Sequence, residues 1–118
     1  MQYILLIYGS EAEAKNATKD DMMKMHAEYK VFTQELKGAG KMLGGDALES
    51  VTTATTVRVK GGKTLRTDGP FAETREQLGG FYAIEAKDLD EAVAIAAKVP
   101  GAKYGCIEVR PVMRINDM

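Results

Sequence analysis

The run Tyr3-Ile4-Leu5-Leu6-Ile7-Tyr8, apolar at positions of both parities, is the feature that most constrains what this chain can fold into. Successive side chains of a strand point to opposite faces, so a run of this kind reads as a central strand covered on both sides. Gly79 to Ala86 repeats the pattern, with Phe81 directly beside Tyr82. A helical pattern follows each run. Thr18 to Asp21 supply cap residues for a helix reaching about Ala39, with Met22, Met25, Tyr29, Phe32 and Leu36 spaced three and four apart on the face expected to pack on the sheet. Gly38 and Gly40 stop it, and an extended stretch spans about Lys41 to Glu49. Asp88-Leu89-Asp90-Glu91 opens a second helix through about Lys98. Pro100-Gly101 then separates it from a last strand, Tyr104 to Val112. Between the two halves, Thr55 to Lys60, Gly61-Gly62-Lys63 and Thr64 to Thr67 read as a β-hairpin.

With the hairpin set aside, the order is strand, helix, strand, twice over. This is the α+β, ferredoxin-like βαβ-βαβ sheet with helices on one face and an inserted hairpin. Two helices on one face leave the other bare, while the central strands are apolar toward both. A second copy of the chain is the expected cover, giving a homodimer.

The 118 residues, 45% hydrophobic, are expected to form a single domain over positions 1–118 with one core. Sixteen Lys plus Arg scatter among seventeen Asp plus Glu for a net charge of -1, so neither nucleic acid nor an anionic membrane is an expected partner. No apolar run approaches the roughly 20 residues of a membrane span, and the first residues lack the pattern of a signal peptide. Cys106 is the single cysteine. It has no disulfide partner and no zinc-like cluster, which fits a reducing, cytoplasmic setting. Its apolar surroundings, Tyr104, Gly105 and Ile107, predict a buried, unreactive thiol.

The chemistry concentrates at Asp68-Gly69-Pro70-Phe71-Ala72-Glu73-Thr74, where the hairpin ends. Gly69 can adopt backbone angles closed to other residues, Pro70 fixes its own φ, and Phe71 is expected to pin the turn to a core, so that Asp68 is presented in a defined geometry. Asp-Gly-Pro is also an ordinary turn tripeptide. Arg58 and Arg66, alternating with apolar neighbours on the hairpin, are candidates for holding Asp68 or an anionic ligand, or form a solvated face. Tyr82 either lines a pocket through its hydroxyl or belongs to the core. His26, the single histidine, flanks the apolar face of the first helix. One histidine cannot build a multi-histidine metal site, and Gly79-Gly80 precedes a strand and not a helix, so neither metal nor nucleotide cofactor is expected. Met22, Met23 and Met25 read as core filler.

Taken together, Tyr3-Ile4-Leu5-Leu6-Ile7-Tyr8-Gly9, Ala54-Thr55-Thr56-Val57-Arg58-Val59, the run from Thr67 to Tyr82, Asp88-Leu89-Asp90-Glu91-Ala92 and Val109-Arg110-Pro111-Val112 resemble the YCII-related family, in the branch marked by the Asp-Gly-Pro-Phe motif. The resemblance implies a ferredoxin-like protomer that pairs into a dimeric α+β barrel. It also implies a His-Asp pair in a cleft, here His26 with Asp68, and a relative that removes chloride from a chlorinated aromatic. A carboxylate that orients an imidazole makes a general base near neutral pH, as a lyase or hydrolase needs. The same resemblance supports a non-catalytic reading, a metabolite-binding or regulatory module associated with sigma-factor control. In either case the expected ligand is a small molecule held by Arg58, Arg66, Phe71 and Tyr82 beside Asp68. A third reading gives the motif a role in fold and assembly alone.

Overall fold

The computed structural model describes residues 1–115; the last three positions of the expected domain lie outside the described residues. Six strands form: β1 (Gln2–Gly9), β2 (Met42–Ala47), β3 (Thr55–Lys60), β4 (Lys63–Asp68), β5 (Gln77–Glu85) and β6 (Cys106–Pro111). Three α-helices join them: α1 (Glu11–Ala14), α2 (Lys19–Gly38) and α3 (Leu89–Ala96), with short 3-10 turns at Val51–Thr53 and Pro100–Lys103. The main sheet has the order β2-β5-β1-β6, every neighbouring pair antiparallel, as the ferredoxin-like arrangement requires. The hairpin β3-β4 is a separate two-stranded sheet.

The register of β1 against β5 shows how one sequence run serves two faces. Leu5 pairs with Tyr82 and Leu6 with Phe81. Directly opposed residues share a face, so one pair must point to the helices and the next away from them. Tyr3, Leu5, Tyr82 and Ile84 are buried, together with Phe32 and Leu36 of α2, Ala92 and Ala96 of α3, and Val99. Ile7, Met42, Ile107 and Val109 complete this core at its edges. Within it the Tyr82 ring meets Phe32 edge-on at 5.1 Å between centroids, and the Tyr82 hydroxyl shares a 2.7 Å hydrogen bond with Thr33 Oγ1. A buried phenol needs such a partner.

On the opposite face Leu6 and Phe81 form a row with Asp46 and Glu108, and Ile4 and Ala83 form the next row with Gly44 and Arg110. Ile4, Leu6, Tyr8, Phe81 and Ala83 are half-buried by one another and carry no helix. This apolar strip with charged rims is the bare face that the sequence led us to expect.

Helix α2 starts where the sequence placed it. Thr18 Oγ1 accepts from the Asp21 amide while the Asp21 carboxylate accepts from the Thr18 amide, a reciprocal cap. Its packing is shorter than its periodicity. Phe32 and Leu36 are buried, but Met22 and Met23 are exposed, which corrects their reading as core filler. Twenty residues make a helix about 30 Å long, and only its second half lies over the core.

Strand β2 is tied to α3 by Lys41, whose Nζ donates to Glu91 Oε1 at 2.7 Å, a carboxylate oxygen that also accepts from the Lys87 amide at 3.1 Å. The Lys41 hydrogen bond chiefly, then that of Lys87, holds the Glu91 carboxyl below its ordinary value of 4.5. A carboxyl depressed in the folded state stabilises fully above its unfolded pKa, and this contribution is lost as pH falls through the lower folded value. Lys41→Met is therefore expected to lower the urea midpoint at pH 7, with the gap from the parent protein closing as pH drops below 4. A gap independent of pH would contradict this.

Candidate functional site

The hairpin turns through Gly61 and Gly62, both at positive φ, between the paired residues Lys60 and Lys63. Two left-handed residues match the twist of a tight hairpin, which is why glycines occupy both positions. The ladder ends at Asp68, paired with Thr55. Gly69, at φ +103°, is then clamped: its amide donates to the Ala54 carbonyl at 2.7 Å, and Thr56 Oγ1 donates to the Gly69 carbonyl at 2.8 Å. The base of the hairpin is fastened by Glu11, which sequence reasoning passed over. Its carboxylate accepts from Ser50 Oγ at 2.6 Å and from the Val51 amide at 3.1 Å, which hold it below the ordinary carboxyl range. The Glu11 amide donates to Gln77 Oε1 at 2.9 Å, and Gln77 Nε2 donates to the Thr74 carbonyl. The available signal was Ser10 followed by Glu13: the Ser10 hydroxyl accepts from the Glu13 amide and starts α1, which carries Glu11.

Asp68 is thus held by its backbone and exposed at its side chain. Among the described residues, no ion pair joins it to an arginine. Register separates the two candidates. Asp68, Arg66 and Val57 lie on one face of the hairpin, since Arg66 pairs with Val57 and stands two residues from Asp68. Arg58 pairs with Leu65 on the other face, so it is not placed to hold Asp68 within this turn.

Phe71 is 79% exposed and does not pin the turn to the chain's own core, contrary to the sequence expectation. The reason is architectural: the loop leaves with a hairpin that pairs only with itself. Tyr82 points to the helices, its hydroxyl engaged by Thr33 within the core. His26 is exposed on α2, and among the described residues no hydrogen bond or ion pair joins it to Asp68. Two open grooves lie away from the turn, one between α2 and the Pro100–Lys103 turn and one beside Lys41 and Glu91.

Cys106 corrects a further expectation. It opens β6 exposed, on the bare face with Glu108 and Arg110, because Ile107 and Val109 take the core side. Partial desolvation and the Glu76 carboxylate, with Oε1 3.8 Å from the sulfur, push its thiol pKa up, so the thiolate is suppressed although the residue is not buried.

Sheet order and helix placement are those of the ferredoxin-like α+β fold found in dimeric α+β barrels. The chain belongs to the YCII-related domain family, whose model matches residues 1–116. An uncharacterised protein of Rhizobium meliloti (strain 1021) is 36% identical over 114 residues, spanning 95% of this chain and 92% of that protein. Among solved structures, the chain is similar in fold to 5-chloro-2-hydroxyhydroquinone dehydrochlorinase (TftG) of Burkholderia phenoliruptrix, in complex with 2,5-dihydroxybenzoquinone. The TM-score is 0.58 at 14% identity, over 96% of this chain and 94% of that one. No helix among the described residues is long and apolar enough to cross a membrane.

Proposed function

We propose that this chain is a small-molecule protein of the reducing cytoplasm that works as a homodimer. Its site lies where the Asp68–Phe71 loop meets the apolar sheet face, with Asp68 as the acid or base of a lyase- or hydrolase-type step. The observation that carries this reading is a carboxylate at the end of the hairpin ladder, paired with Thr55 and followed by a Gly69 clamped by Ala54 and Thr56, while its oxygens are left to solvent three residues before a 79% exposed aromatic. A fixed carboxylate accepts a ligand hydroxyl, and Phe71 and Phe81 offer faces for a flat ring. Arg66, on the same hairpin face as Asp68, complements an anionic substituent. The dehydrochlorinase of similar fold, in complex with a dihydroxybenzoquinone, supports hydroxylated rings as the ligand class to try first.

His26 is the second proton carrier proposed for an enzymatic step. Its placement on α2 without a bond to Asp68 favours a second reading, in which the site senses a metabolite without turning it over. Calorimetric titration of dihydroxybenzenes and hydroxyquinones into the parent protein, Asp68→Asn and His26→Gln, with product analysis, tests both. The expected result is saturable binding to the parent and about tenfold or greater loss in Asp68→Asn at unchanged melting temperature. Turnover that His26→Gln abolishes supports the enzyme, and binding without turnover supports the sensor. Equal binding to the parent and Asp68→Asn would overturn the site.

A further inference from the structure

The β3-β4 hairpin is an arm without a body of its own. Every residue of β4 is exposed, and in β3 all but Thr56 are. The Cα radius of gyration is 16.4 Å, against about 13.5 Å for a compact chain of this length. The principal extents are 47 × 46 × 19 Å, a slab one sheet and one helix layer thick. The arm therefore extends in the plane of the slab and folds back over neither face. Six residues per strand give it a reach of about 20 Å.

Two properties say what it reaches for. One face presents Val57 and Val59, 58% and 68% exposed, beside Arg66 and Asp68, although an isolated two-stranded ribbon is marginal in water. The span Thr55–Asp68 holds Arg58, Lys60, Lys63 and Arg66 against one carboxylate, net +3, while the whole chain is -1, leaving -4 for the remainder. A basic, valine-faced arm and an acidic body whose apolar strip is rimmed by Asp46 and Glu108, with Arg110 one row along, are complementary, and among the described residues the arm's strands pair only with each other.

We infer that the arm docks on a second copy of this chain, its Val57, Val59 and Arg66 face laid against the rim of that copy's open sheet. Each site is then built from the Asp68–Phe71 loop of one copy and the sheet face of the other. The inference rests on the homodimer proposed above. It explains why the side chains of Phe71 and Asp68 stand exposed among the described residues: their setting belongs to the second copy.

Hydrogen exchange of the 55–68 segment, measured by mass spectrometry across a protein concentration series alongside sedimentation, tests this. The arm's protection is expected to rise about tenfold or more in step with the dimer fraction. The double variant Val57→Asp, Val59→Asp is expected to weaken the dimer about tenfold, while Leu65→Asp, on the opposite arm face, leaves it unchanged. A dimer whose arm stays unprotected overturns the arm inference and leaves the sheet-face dimer standing. A monomer at every concentration overturns both. Protection independent of concentration shows an arm held by its own chain, and protection gained only with a duplex oligonucleotide shows a nucleic-acid ribbon; either result overturns the proposal.

Discussion

Gly105→Ala is expected to destabilise the protein by about 3 kcal/mol, at the upper end of what one added methyl does. A Cβ at this position would overlap the Tyr8 carbonyl oxygen and stand 3.0 Å from the Gly9 Cα. Both neighbours are backbone, so no side chain can swing away. The next residue, Cys106, pairs with Tyr8 at the last rung between β6 and β1. Relief requires the two strands to part there, which breaks their hydrogen bonding and shifts Ile107 in the core. Gly38→Ala is the matched control: it lies at the end of α2 with nothing within 4 Å, and alanine there is expected to be neutral or stabilising by up to about 1 kcal/mol. Urea unfolding of the two variants reads the difference. A Gly105→Ala protein as stable as the parent would show that the β1-β6 pairing is looser than described.

Leu6→Asp is expected to produce the largest change in assembly, weakening the proposed dimer roughly a thousandfold or more. Leu6 sits in the middle of the row Asp46, Phe81, Leu6, Glu108, between two carboxylates that already flank the strip. A third carboxylate there would be repelled by its neighbours and, under a second copy, stripped of water with no cation in its row. Because Leu6 faces away from the helices, the protomer core of Leu5, Tyr82 and Ile84 is left intact, so the variant is expected to remain folded by circular dichroism. Loss of fold together with loss of assembly would place Leu6 in the protomer core instead.

What the sequence disclosed and what it withheld divide along physical lines. The two-sided strands were legible because strand parity is rigid: apolar residues at both parities in β1 and β5 put apolar side chains on both faces, as the Leu5 to Tyr82 and Leu6 to Phe81 pairs do. The α2 cap was legible because Thr18 and Asp21 act across three residues. Parity also places Cys106, since Ile107 and Val109 alternate with it toward the core, whereas the apolar character of its chain neighbours says nothing about which face it takes. Gly79-Gly80 was read only for what it could not bind, whereas a Cβ at Gly80 would come within 2.9 Å of the Asp46 carbonyl, a close approach of β2 and β5 set by tertiary pairing. Met22 and Phe71 misled for one shared reason. Helical period and turn chemistry fix local geometry, but neither says where the sheet ends or whether a hairpin packs on the body. The Asp68–Phe71 turn was predicted as a turn, and the clamp on Gly69 makes it one, but its surroundings were not encoded locally.

The proposed site stands or falls with a second copy over the bare sheet face. Sedimentation equilibrium of the parent protein at micromolar concentration measures this directly. The predicted result is a mass near twice 12.8 kDa that reverts to 12.8 kDa in Leu6→Asp, and a parent protein at 12.8 kDa across the concentration range would contradict it.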